Sequence, residues 1–148
     1  MPRLRRTLAA AFIAAAAAVT AAPPSATAGP TQAERALLRA VNEVRAARGL
    51  PRVQLAQPLQ RRTHRFAVWL LRTNRFAHAG DLRPGTCENL AWATSNIASA
   101  RGIVRMWLAS PGHRANLLWR AARKAGVGVA RGQYQGYPDV RLAVLRLR

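Results

Sequence analysis

The residues best suited to acid–base or metal chemistry are few, because the 148-residue chain has only three histidines and five acids. His78 follows a predicted helix, Glu88 precedes an apolar segment, and His113 lies in a Ser-Pro-Gly-His run. Two imidazoles and one carboxylate suit a divalent metal such as zinc, with an open fourth position. They equally suit acid–base catalysis in which Glu88 orients one histidine. Spacing alone decides neither, because the three residues are far apart in sequence.

The other polar candidates each have a structural interpretation as well as a functional one. Asn89, next to Glu88, is a candidate cleft residue, although asparagines in turns commonly satisfy backbone groups. Ser110 could act as a nucleophile with His113, but it lacks the strained turn that such serines use. His64 lies among arginines of a predicted helix, and we interpret it as a surface histidine.

Helices are expected to position these residues. A capping box at Thr31 and Glu34 predicts a helix that the apolar periodicity extends to about residue 48. Further helices are predicted over residues 58–74, 98–109 and 115–118, and Trp69 and Trp107 are assigned to the core. An extended segment is predicted over residues 90–93, directly after Glu88.

The last quarter of the chain changes its hydrophobic period. Residues 126–129 are typical of a strand, and residues 133–139 are rich in turn formers. From residue 140 onward, apolar residues alternate as in a strand with one buried face. Helices followed by a C-terminal antiparallel hairpin predict an α+β domain, layered as an α/β/α sandwich.

The N-terminal 28 residues are typical of a secretory signal peptide. Arginines precede an alanine-rich apolar run at residues 8–19, and Ala-Thr-Ala ends at Ala28. The run is too short for a membrane anchor, which needs about 20 apolar residues. We therefore expect cleavage near Ala28, an extracellular location, and one mature domain over residues 29–148. Cys87 is the only cysteine, so that domain has no intramolecular disulfide, and its acidic neighbour is expected to raise the pKa of the thiol.

The formal charge of +19 predicts attraction to anionic surfaces such as acidic envelope polymers. Of the 24 basic residues only Lys124 is a lysine, which also fits a compositional preference for arginine. The arginines are scattered and not interleaved with aromatic residues, so we expect no specific nucleic acid partner.

A set of short motifs occurs in a characteristic order along the chain. They are N-x-x-R (residues 42–45), F-x-H (76–78), E-N-L-A (88–91), W-L-A-S-P-G-H-R-A-N-L-L (107–118) and G-V-G (126–128). In this order the chain resembles the CAP superfamily: cysteine-rich secretory proteins, antigen 5, pathogenesis-related proteins and the bacterial SCP-like extracellular proteins. The bacterial type is the most similar.

The resemblance implies a three-layer α/β/α sandwich with a wide cleft lined by His78, Glu88 and His113. Two departures from the family pattern matter here. Cys87 replaces the glycine of G-E-N, and Ser110 stands where many eukaryotic members carry a second cleft carboxylate. One carboxylate instead of two implies weaker metal affinity and excludes a two-carboxylate mechanism.

CAP domains have varied roles, so the resemblance leaves the activity open. The first hypothesis is a secreted, monomeric binding module whose cleft takes a lipid, another small ligand or a metal at or outside the cell envelope. The second is a metal-dependent hydrolase or peptidase that uses His78, Glu88 and His113. The third is a cationic protein that adheres to the envelope or to nucleic acid.

Overall fold

The computed structural model describes residues 29–94 and 97–148, and the predicted signal peptide lies outside these ranges. The chain forms four helices and four strands within them. In chain order they are α1 (Gln32–Ala46), β1 (Gln54–Leu55), α2 (Gln57–Arg72), β2 (Cys87–Thr94), α3 (Ala100–Ala109), α4 (Pro111–Leu117), β3 (Lys124–Tyr134) and β4 (Tyr137–Leu147).

The capping box predicted for α1 is confirmed. The Thr31 backbone N–H donates to Glu34 Oε2 at 2.8 Å, and the Glu34 N–H donates to Thr31 Oγ1 at 3.2 Å. Helix α4 begins at Pro111, earlier than predicted, because proline is accepted in the first turn of a helix. His113 therefore lies on a helix and not in a loop.

One mixed sheet with the strand order β1-β3-β4-β2 forms the middle layer. The short strand β1, which the sequence analysis missed, runs parallel to β3, and the other pairs are antiparallel. The predicted hairpin joins β3 to β4 at Gln135 and Gly136, with φ angles of 50° and 82°. Two consecutive positive φ angles suit a tight hairpin turn. Because the turn is so short, β3 and β4 both extend well beyond the predicted segments.

Helices cover both faces of the sheet, which confirms the predicted α/β/α layering. One core contains apolar residues of α1, α3 and the sheet, whereas the other lies between α2 and the sheet. The prediction that the last strand buries one face was wrong: Val144 and Leu145 point to opposite cores and are both about 1% exposed or less.

Helix α2 lies unusually close to β3, and this contact decides which of its faces is buried. A Cβ on Gly128 would lie 2.4 Å from the Thr63 carbonyl oxygen and 2.8 Å from Ala67 Cβ. Small residues of α2 therefore face the sheet. Trp69 was wrongly assigned to the core and is 43% exposed, whereas Trp107 is buried as predicted.

Among the described residues, no helix is long and apolar enough to span a bilayer.

Candidate functional site

A buried ion pair joins the two central residues of the site. Glu88 is the second residue of β2, and the strand register sets it directly opposite Arg146 of β4. Arg146 Nε donates to Glu88 Oε2 at 2.8 Å, and the two side chains are 7% and 1% exposed. Cross-strand partners on one face of a sheet are close enough for such contacts, so the backbone pairing itself brings the two charges together.

The other carboxylate oxygen of Glu88 orients His78. His78 Nδ1 lies 2.8 Å from Glu88 Oε1, and the Ala79 backbone N–H donates to the same oxygen at 3.1 Å. An ionised carboxylate only accepts hydrogen bonds, so Nδ1 carries the proton and Nε2 of the neutral ring is left as an acceptor. The ring is 58% exposed. It therefore presents an oriented basic nitrogen to solvent.

A network of asparagine amides fixes the third site residue from the opposite side of β2. Asn89 Nδ2 donates to the His113 carbonyl oxygen at 2.8 Å. Asn116 Nδ2 lies 3.2 Å from the Glu88 carbonyl oxygen and 3.0 Å from Asn89 Oδ1. These contacts tie the first turns of α4 to the start of β2. Asn89 thus satisfies backbone groups, which agrees with the simpler of its two interpretations.

His113 lies near enough to His78 for their charges to interact. Partial burial lowers the pKa of His113, and the positive charge that His78 can carry lowers it further. Both effects favour the neutral imidazole. The structure thus brings His78 into contact with Glu88, and His113 into electrostatic range of His78.

The remaining sequence candidates have secondary positions. Ser110 is half-buried between α3 and α4, and its side chain makes no capping hydrogen bond to α4. Cys87 is half-buried, and its Sγ lies 3.9 Å from the Asn116 carbonyl oxygen. The pKa of the thiol is raised as expected, but the cause is burial and not the neighbouring carboxylate. A protonated thiol is a weak nucleophile.

Two residues of the N-x-x-R motif are structural. Asn42 accepts from the Val53 backbone N–H at 2.8 Å and donates to the Val53 carbonyl oxygen at 3.0 Å. Arg45 is fully buried and donates to four backbone carbonyls, those of Pro51, Leu117, Trp119 and Ala122. This cation joins α1 to the segment after α4.

Two charged contacts, that of Arg146 with Glu88 and that of His64 with Glu34, were not predicted from the sequence. Arg146 interrupts an apolar run in β4, and an arginine inside such a run was the signal for a buried partner. His64 was interpreted as a surface histidine, but its Nδ1 lies 2.7 Å from Oε1 of the buried Glu34. The same oxygen is 3.4 Å from the Val129 backbone nitrogen, so Glu34 covers an open edge of β3 beyond the short β1.

Hydrogen bonds already occupy the carboxylate of the predicted metal ligand set. Both oxygens of Glu88 are engaged by His78, Ala79 and Arg146. Over residues 29–94 and 97–148, no three His, Cys, Asp or Glu side chains are grouped to hold a metal ion. A catalytic zinc usually has three protein ligands, so the set of His78, Glu88 and His113 does not fit a metal in this arrangement. Binding of a divalent metal by His78, Glu88 and His113 stays a prediction.

Comparison with known proteins identifies the family. The family model described as "CAP: Cysteine-rich secretory protein family" matches residues 38–145. The chain therefore belongs to the CAP family, as its motifs predict and as its sandwich fold agrees.

Individual relatives agree with this assignment. The chain is 28% identical over 109 residues to the human Golgi-associated plant pathogenesis-related protein 1, covering 64% of this chain and 70% of that protein. The solved Schistosoma mansoni venom allergen-like protein 4 has a TM-score of 0.60 at 13% identity, covering 80% and 88% of the two chains. An extracellular SCP-domain protein from Bacillus anthracis has a TM-score of 0.61 at 18% identity, covering 81% and 44%.

Proposed function

We propose that this protein is a secreted CAP-domain binding module whose ligand site is the cleft at His78, Glu88 and His113. The observation that carries the proposal is the exposed His78 ring, held by a buried carboxylate that a buried arginine neutralises. Burying an ion pair is costly, and apolar side chains of similar volume stabilise a core at least as well. An arrangement that orients an exposed imidazole in this way is better explained by a ligand than by stability.

The chemistry of the cleft favours binding over hydrolysis. His78 offers an acceptor nitrogen, and His113 is driven toward its neutral form. Such a pair suits a ligand with hydroxyl or ammonium donors, or a soft cation. Glu88 is fully engaged and the Cys87 thiol stays protonated. Neither residue is therefore free to serve as a metal ligand of such a hydrolase or as a nucleophile, although His78 keeps a basic nitrogen that an enzyme could use.

The proposed location is outside the cell, at or beyond the envelope. It is supported by the signal-like residues 1–28 and by the Bacillus anthracis relative, which is described as extracellular. The high positive charge favours anionic surfaces there. Protein recovered from culture medium should begin near Gly29. A secreted form that retains residues 1–28 would contradict the export proposal.

The cleft is tested by two probes on purified mature protein. The first is zinc, titrated calorimetrically into the wild type and into His78→Ala and His113→Ala. The second is a library of small polar fragments, with binding detected as shifts of the histidine ring resonances. The control is His64→Ala, since His64 also contacts a buried glutamate, Glu34, but lies outside the cleft.

We expect fragments or zinc to shift His78 and His113 together and to lose affinity in both cleft variants, but not in His64→Ala. Zinc binding accompanied by zinc-dependent peptidase activity would instead favour the hydrolase hypothesis. Absence of any ligand at the cleft, with all variants folded, would overturn the binding-module proposal.

A further inference from the structure

A concave surface lies between α2 and the connector that precedes β2. It is a groove of about 590 Å³, within the usual range of ligand sites. His78, Glu88 and His113 do not line it, whereas Arg146, the partner of Glu88, does. We call it the α2 groove. Its lining includes Leu59, Phe66, Trp69, Leu82 and the charged residues described next.

The α2 groove is strongly cationic. One acid, Asp81, lies among six basic residues, which are Arg62, Arg65, Arg83, Lys124, Arg146 and Arg148. Arg146 is already paired with Glu88, whereas Arg62, Arg65 and Arg83 are exposed on both sides of the groove. Like charges around one concavity repel each other, and an anionic occupant relieves that repulsion.

Stacked aromatic rings give the same groove an apolar wall. Phe66 and Trp69 stack with ring centroids 5.7 Å apart and an angle of 14° between the planes. The Arg146 guanidinium lies 4.7 Å from the centre of the Phe66 ring, and Arg75 lies 5.8 Å from that of Trp69. Trp69 nevertheless remains 43% exposed. A large aromatic side chain left open beside arginines is typical of a ligand-contacting surface.

We propose that the α2 groove binds an acidic polysaccharide, a chain of sugar rings that carry carboxylates. Sugar rings present apolar C–H faces that can pack on Trp69, while their carboxylates can pair with the planar guanidinium groups of Arg62, Arg65 and Arg83. The basic residues come from α2, the connector, β3, β4 and the C-terminal residue and not from one element, which fits a ligand with repeated charges. A bare polyanion would use the arginines but leave the aromatic wall without a role.

The test uses the mature protein and a short linear oligogalacturonate at physiological salt, where exposed charges are screened beyond about 8 Å. Affinity is measured by calorimetry, and the part of the tryptophan fluorescence change that Trp69→Ala abolishes reports occupancy of the wall. Fully methyl-esterified oligogalacturonate supplies the same sugar chain without charge. Inorganic polyphosphate supplies charge without sugar rings.

Three variants locate the binding. The double variant Arg62→Gln/Arg65→Gln should weaken oligogalacturonate binding roughly tenfold, equivalent to ~1.4 kcal/mol. Its matched control is Arg105→Gln/Arg120→Gln, which removes two exposed arginines outside the groove and should change affinity less than about twofold, since they make no contact. Trp69→Ala should weaken binding of oligogalacturonate but not of polyphosphate.

Several outcomes would overturn the proposal. Equal loss in both arginine pairs would mean that net charge alone attracts the polymer. Equal affinity for the esterified chain would exclude the arginines, and oligogalacturonate binding to Trp69→Ala as tightly as to the wild type would exclude the aromatic wall. No measurable binding of oligogalacturonate would also overturn it. His113→Ala should leave this affinity unchanged, so failure here is distinguishable from failure of the cleft proposal.

Discussion

Replacement of Arg146 by methionine tests the buried ion pair between Arg146 and Glu88. The substitution keeps an apolar stem against Phe66, where the guanidinium now lies, but removes the charge. Glu88 is then a buried carboxylate that keeps only its contacts to His78 and Ala79. Because both side chains of the pair are less than a tenth exposed, we expect Arg146→Met to lower the free energy of unfolding by about 3–5 kcal/mol.

A double-mutant cycle measures the coupling energy between Arg146 and Glu88 apart from their other contacts. Urea unfolding is measured for the wild type, Arg146→Met, Glu88→Gln and the double variant. The double variant should lose much less than the sum of the single losses, because neither charge is left alone. The matched control is the exposed pair of Arg131 and Asp139, joined at 2.7 Å, whose coupling should stay below about 1 kcal/mol. A coupling at Glu88 no larger than this control would refute the reasoning.

Three further predictions follow from other contacts. Gly128→Ala should lower the free energy of unfolding by about 1–3 kcal/mol because its Cβ would overlap α2. Gly112→Ala, whose Cβ would have no atom within 4 Å, should be neutral or stabilising. Thermal melts compare the two variants. Arg45→Met should cost more than about 3 kcal/mol in urea unfolding, since the carbonyls of Leu117 and Ala122 in buried contacts, and those of Pro51 and Trp119 in partly buried ones, lose their donor. His113 should titrate below about 6.5 in an NMR pH series, because burial and His78 lower its pKa.

The lowered pKa of His113 makes the stability of the protein depend on pH. A histidine with a lowered pKa in the folded state binds fewer protons than in the unfolded chain. Its contribution is therefore fully present above the unfolded pKa of about 6.5 and is lost as the pH falls toward the folded value. Acidification through this range should destabilise the wild type more than His113→Ala. Equal pH dependence in the two proteins would contradict the assigned environment.

The sequence predicted the layers of the fold because its helices have strong local signals. The capping box at Thr31 defined α1, and the Ser-Pro-Gly turn separated α3 from α4. The buried face of α2 could not be predicted in this way. The close approach of Gly126 and Gly128 selects small residues for that face and leaves Trp69 outside. Such a contact depends on a strand more than fifty residues away.

The site was predicted to a similar degree. The family motifs identified His78, Glu88 and His113, and the contact between the first two is confirmed. Arg146 was missed because its role arises from strand register, which pairs it with Glu88 across β2 and β4. The metal ligand set was inferred from residue types alone. It took no account of the hydrogen bonds that occupy both oxygens of Glu88.

The measurement that tests the central claim most directly is a long-range ¹H–¹⁵N correlation spectrum of the histidine rings near pH 7.5. The account predicts that the neutral form of His78 is a single tautomer, with the proton on Nδ1 facing Glu88 and Nε2 bare. It also predicts that Glu88→Gln releases this preference while His64 keeps its own. A wild-type His78 protonated on Nε2, or one that exchanges freely between tautomers, would contradict the claim that Glu88 holds this ring for a ligand.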